Sequence, residues 1–171
     1  REVILCDSKG IISREREDLN ESKRGLLAYS NPNHISGGLK EALVDADAFI
    51  GVSIGNLLQA EDIRSMAHDP IVLALANPVP EIMPEEAMKG GAAVVGTGRS
   101  DLPNQVNNVL GFPGIFRGAL DARARVISPS MKLAAAYAIA GFIRNPRPEE
   151  IIPATLNERV AYRVADAVRE A

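Results

Sequence analysis

The residues best equipped for chemistry are gathered in one stretch, VVGTGRSDLPNQVNNVLGFPG, at positions 94–114. An apolar run that reads as a buried strand turns polar at Gly96, Thr97, Gly98, Arg99, Ser100 and Asp101. Asn104, Gln105, Asn107 and Asn108 follow within five residues. Side-chain amides compete with the backbone for hydrogen bonds and are poor filler for helices or strands. They both donate and accept, so they can hold a carboxylate, a hydroxyl or a carboxamide without adding charge. Just past the carboxyl end of a strand is where open α/β sheets bind ligands. A polar, Asn-rich loop with no ligand is the competing reading, and residue types alone leave the two level.

Another amide, Asn77, ends the apolar run 71–76 and is followed by Pro78-Val79-Pro80-Glu81. Two prolines fix that loop and remove donors from it, which suits a positioning role. Glu81 reads as a cap for the next helix or as a local ion-pair partner. Nearer the start, the apolar run 3–6 is ended by Asp7, then Ser8-Lys9-Gly10. A carboxylate at a strand end before a turn matches the ribose-binding acid of a dinucleotide fold, although a plain turn residue fits the residue type better on its own. Lys9, Lys23 and Arg24, if they converge near Asp7, can hold a 2′-phosphate and favour NADP, whereas the acid alone favours NAD; a solvated helix face is the alternative. Ser53, with Gly51 and Gly55, crowds the end of the run 48–53. Small residues there let a cofactor approach the backbone, and an ordinary tight turn needs them equally. A ribose-binding acid normally follows a G-x-G-x-x-G turn by about 20 residues. With so few residues before Asp7, the glycine-rich turn, first strand and first helix are expected outside this sequence, which is expected to begin mid-domain.

The elements that must position these groups can be read in order. Strands are expected at 3–6, 48–53, 71–76 and from Val94. The absence of charge inside 48–53 implies burial on both faces, as in a parallel sheet. Helices are expected at 19–30, capped by Asp18 with Glu21 and with Leu26 and Leu27 inward, at 39–44, 60–67, 84–90 and 115–124. Pro113 suits a helix start. The segment 131–143, capped by Ser128 or Ser130, is apolar nearly all round and reads as a buried helix. The segment 157–171 reads as amphipathic. This alternation predicts an α/β fold, a doubly wound (Rossmann-like) parallel sheet that is incomplete because its first strand is missing. Residues 1–171 are expected to form one partial NAD(P)-binding domain, with the C-terminal helices of 130–171 included.

Composition narrows the function classes. With 171 residues, 46% hydrophobic and 24% charged, the chain is sized for one ordinary globular domain. A net charge of −3 and no basic run speak against a nucleic-acid partner. No apolar run reaches membrane-spanning length. The single cysteine, Cys6, excludes an internal disulfide and reads as a small core residue. His34 and His68 are too isolated in sequence to suggest a metal pair.

GTGRSDLPNQVNNVLGFPGIFRGALDARA resembles the signature of malic enzymes of the short microbial type, and LANPVPEI resembles a second motif of that family. The resemblance runs over nearly the whole sequence. It implies oxidation of (S)-malate with NAD or NADP and decarboxylation to pyruvate and CO2, aided by Mg2+ or Mn2+, in a homodimer; with no membrane-length run and no signal peptide, the cytoplasm is the expected location. Matched by motif, Asn77 and Asn108 would contact substrate, with Asn107 the neighbouring candidate. Asp7, Ser8, Lys9, Ser53, Asn77, Lys23 and Arg24 would form the cofactor shelf. The family's general-base lysine, general-acid tyrosine and three metal-binding acids would come from the remainder of the polypeptide. Tyr29, Tyr137 and Tyr162 do not match the tyrosine motif, and no catalytic or metal-ligand residue is expected on this chain. Residue patterns alone keep two rivals open: the dinucleotide-binding module of another dehydrogenase, and a non-catalytic interaction domain docking through the helix at 131–143.

Overall fold

The computed structural model describes residues 2–171. The chain opens with a small antiparallel hairpin of β1 (Cys6–Asp7) and β2 (Gly10–Ile11), joined by a turn at Ser8 and Lys9. Then come α1 (Glu21–Leu26), α2 (Leu39–Leu43), β3 (Ala48–Gly51), α3 (Ala60–Arg64), β4 (Ile71–Ala74), α4 (Pro84–Lys89) and β5 (Val94–Thr97). A 3-10 turn (Asn108–Leu110) leads into α5 (Phe112–Asp121), followed by α6 (Pro129–Ala140) and α7 (Glu158–Glu170). The strands β3, β4 and β5 form a parallel sheet in that order, each joined to the next through a helix. The expected α/β class with a parallel sheet is therefore present, and the sheet has three strands.

Register explains which face is buried. Phe49, Val72 and Val95 share one row, and Gly51, Ala74 and Thr97 the next row on the same face. That face packs with Leu43, Leu58, Ile63, Met66, Ile82 and Ala87 into one core. The opposite face carries Ile50, which is 65% exposed, and Ile71, also exposed. The expectation of two-sided burial thus fails at β3. It is an edge strand, and its side chains alternate between core and surface because no element among the described residues covers the sheet face at Ile50.

A second core joins Leu110, Met131, Ala135, Ala138, Val160, Val164 and Val168, from the 3-10 turn, α6 and α7. α5 closes on α7 through Gly114 and Gly118, one helical turn apart. A Cβ on Gly114 would lie 2.5 Å from Val164 Cβ, and one on Gly118 would press on the Ala165 carbonyl oxygen. Backbone atoms cannot yield as a side-chain tip does, so Gly118→Ala is expected to destabilise the protein by about 1–3 kcal/mol, read by urea unfolding.

Several local expectations need correcting. α1 is short, none of its residues is buried, and Leu26 is exposed. Its cap is Asn20, which accepts from the Lys23 N–H at 2.9 Å. Asp18 is occupied by the Arg16 guanidinium, at 2.9 and 2.8 Å, and by Lys9 at 2.9 Å. Gly10 and Ile11 form β2 by turning back onto Cys6 and Asp7. Cys6 is exposed rather than in the core. α6 is capped by Ser128, but it buries only Met131, Ala135 and Ala138 and leaves Leu133 and Tyr137 exposed. One side of it packs into the α5–α7 core, and its other apolar side lies at the surface. Among the described residues no helix is long and apolar enough to cross a membrane.

Candidate functional site

The carboxyl end of the parallel sheet is built by three strand exits. At β5 the chain leaves through Gly98 and returns, so that the Val106 N–H donates to the Thr97 carbonyl at 2.8 Å and Gln105 lies beside Thr97. Asn107 and Asn108 are therefore one and two residues beyond an anchor on the last residue of β5. Thr97 is level with Ala74 on β4, three residues before Asn77. Neighbouring strands lie about 4.8 Å apart, so Asn77 and the Asn107–Asn108 pair stand at one end of two adjacent strands.

The amides divide by what they already bind. Asn104 is buried: its Nδ2 donates to the carbonyls of Val95 (2.9 Å) and Pro148 (2.7 Å), and its Oδ1 accepts from the Ile151 N–H at 2.9 Å. Gln105 Oε1 accepts from the Thr155 hydroxyl at 3.1 Å, and Asn107 Oδ1 accepts from the Val109 N–H at 3.0 Å, capping the 3-10 turn. Asn77 and Asn108 are exposed, and their side chains make no hydrogen bond to any described residue. Within this amide cluster, then, the structural role belongs to Asn104, Gln105 and, through its oxygen, Asn107. Asn104→Ala orphans the Ile151 N–H and two carbonyls, and its φ of 52° disfavours alanine. A loss of about 2–4 kcal/mol is expected, measured by thermal and urea unfolding.

The exits of β3 and β4 meet on Glu81, which is fully buried. Its Oε1 accepts from the Ser53 N–H at 2.8 Å and its Oε2 from the Ala76 N–H at 3.0 Å. The expectation that Glu81 caps α4 or pairs locally is corrected: its side chain turns inward, and no side chain of that stretch caps the helix, which opens on Pro84. At the β5 exit, Arg99 is closed on Asp101 by two hydrogen bonds, 2.9 and 2.6 Å.

Asp7 lies in the hairpin, inside a charged cluster. Its carboxylate accepts from Arg16 at 2.7 and 3.2 Å, from the Lys9 N–H at 2.9 Å, and from the Lys23 ammonium. The Arg16 guanidinium, then Lys23, then the Lys9 N–H hold the Asp7 carboxyl well below the usual carboxylate range. The structure thus brings Asp7, Lys9 and Lys23 together, with Ser8 exposed in the same turn. It leaves Arg24 out: that guanidinium donates to the carbonyls of Leu19 (3.0 Å) and Glu17 (3.1 Å). The Lys9 ammonium points to Asp18 rather than to Asp7. Arg16, which residue patterns did not single out, is the main partner of Asp7. Three cations, Lys9, Arg16 and Lys23, face two carboxylates, Asp7 and Asp18, and leave a net single positive charge. Among the described residues no group of three or more His, Cys, Asp or Glu side chains is placed to hold a metal ion.

The chain is similar to known proteins along its whole length. The family model described as "Malic enzyme, NAD binding domain" matches residues 1–171. The chain is 52% identical to the bifunctional malic/malolactic enzyme of Bacillus subtilis, covering all of this chain and 42% of that protein. It is 47% identical to an NADP-dependent malic enzyme of Rhizobium meliloti, covering 94% of this chain and 21% of the relative. The crystal structure of the NAD-dependent malic enzyme of Thermotoga maritima superposes with a TM-score of 0.94 at 47% identity, over 98% of this chain and 45% of that one. The chain therefore spans less than half the length of these relatives. With a family model matched from end to end and a fold shared with a solved member, the chain belongs to the malic enzyme family, as its NAD-binding domain.

Proposed function

We propose that the polypeptide carrying this chain oxidises (S)-malate with NAD or NADP and decarboxylates the product to pyruvate and CO2. Residues 1–171 form one NAD(P)-binding domain, and its site supplies the cofactor shelf and the amides that orient substrate. One observation carries the reading: within the amide cluster at the sheet's carboxyl end, the side chains of Asn77 and Asn108 are exposed and uncommitted.

When bound, NAD(P) supplies the hydride acceptor for C2 of malate. The chain's own residues bind and orient. Asn77 and Asn108 donate amide N–H groups to malate oxygens, Asn107 adds the Nδ2 that its capping role leaves unused, and the uncharged amides add no opposing charge. Fixing the C2–H bond toward the acceptor supplies part of the roughly 7–11 kcal/mol that orientation can contribute. Ser53 lies at the β3 exit, while Asp7 and Ser8, with Lys9, Lys23 and Arg16 around them, meet the adenosine ribose. The residues of the cluster fit a dinucleotide at its ribose end, and its net positive charge favours NADP. They do not fit a divalent metal. In this reading Mg2+ or Mn2+, the lysine base and the tyrosine acid belong to the remainder of the polypeptide. The enzyme is proposed as a cytoplasmic homodimer whose small-molecule partners are malate and pyruvate.

The test is an assay of the full-length polypeptide with malate, a divalent cation and each dinucleotide. Malate-dependent nicotinamide reduction with equal release of pyruvate and CO2 is expected. Reduction driven only by an amino acid or a different 2-hydroxy acid would instead support the rival dehydrogenase reading.

A further inference from the structure

Glu81 is 0% exposed, and no cation lies within ion-pair distance of it among the described residues. Burying a carboxylate is costly unless hydrogen bonds compensate, and a joint that needs only packing is as stable with an apolar residue. Here both oxygens take backbone N–H groups, one from each of two strand exits: Ser53 after β3 and Ala76 after β4. The main chain of the same segment adds three bonds. The Glu81 carbonyl accepts from Leu57 N–H at 2.7 Å and Leu58 N–H at 2.9 Å, and the Pro80 carbonyl accepts from Asn56 N–H at 2.9 Å. Residues 52–58 and 75–81 are thus one hydrogen-bonded unit. Gly51 is cleared for it, since a Cβ there would lie 2.5 Å from the Glu81 carboxyl carbon.

We propose that Glu81 is a positioning residue that sets the β3 exit, with Ser53, against the β4 exit, with Asn77. It touches neither ligand; it fixes the distance between the loops that hold them. The proposal rests on the functional reading above, which assigns those two loops to cofactor and substrate.

The test is Glu81→Gln in the full-length polypeptide. An amide offers one acceptor oxygen where two are needed, and its NH2 opposes a backbone N–H, so one exit is released. A misplacement of the order of 1 Å can cost about a hundred-fold in rate, and the expected result is a rise of about ten-fold in KM for malate and for the dinucleotide together. Exchange of the Ser53 or Ala76 amide hydrogen should quicken by a similar factor. A purely structural role would lower the melting temperature and leave both KM values of the folded enzyme unchanged. Both KM values within about two-fold of wild type, or a rise in only one, would overturn the proposal. If the wild-type polypeptide does not turn over malate, the functional reading fails, and the role of Glu81 is decided by exchange at Ser53 and Ala76 alone: protection unchanged in E81Q rejects it. Should E81Q not fold, Glu81→Asp, with both oxygens on a shorter stem, carries the same readouts.

Discussion

Asn108→Ala in the full-length polypeptide lowers kcat/KM for malate by about ten- to a hundred-fold, the loss expected when a donor to a charged oxygen is removed, and leaves the melting temperature within error of wild type. The second half follows from the structure. Asn108 is exposed at the start of the 3-10 turn, and its side chain bonds to no described residue, so nothing in the fold is lost with it. Surface changes of that kind stay within about 0.5 kcal/mol. The contrast with Asn104, four residues earlier, is the diagnostic feature: there the same substitution damages stability. Unchanged malate kinetics in Asn108→Ala would show that the exposed amide is a bystander.

Arg16→Ala shifts the proposed cofactor preference. Arg16 gives Asp7 two of its hydrogen bonds and, with Lys9 and Lys23, outnumbers the carboxylates of Asp7 and Asp18. Loss of Arg16 lowers the positive charge beside a 2′-phosphate and relieves Asp7 of two hydrogen bonds, so that it can accept from a ribose hydroxyl. The kcat/KM for NADP should fall about ten-fold or more, while that for NAD stays level or rises. In the unaltered enzyme, NADP affinity should weaken as ionic strength rises, because exposed charges are screened. An NADP-to-NAD ratio unmoved by Arg16→Ala would remove this cluster from cofactor selection.

Much of the sheet was legible in the sequence because β3, β4 and β5 are uncharged runs ended by Gly, Asn or Pro, and such punctuation marks strand exits directly. Burial was less legible. Ile50 has the residue type of a buried strand, but whether its face is covered depends on what packs over it, and that face is open at Ile50 among the described residues. The amides around Asn107 could be recognised as a cluster but not ranked. Only the return of Val106 to Thr97, and the reach of Asn104 to Pro148 and Ile151, separate the bound amides from the uncommitted ones. Arg16 and Glu81 were missed as partners for the same reason. An arginine in a charged loop and a glutamate after a proline carry no local signal of the long-range contact each makes, nine residues back to Asp7 and twenty-eight back to Ser53.

The central claim is that Asn77 and Asn108, from the exits of adjacent strands, hold one substrate between them. A crystal structure of the full-length polypeptide with malate and dinucleotide bound tests it most directly. The account predicts both side-chain amides within about 3 Å of oxygens on the same malate molecule. Malate seated elsewhere, or touched by only one of the two, would contradict it.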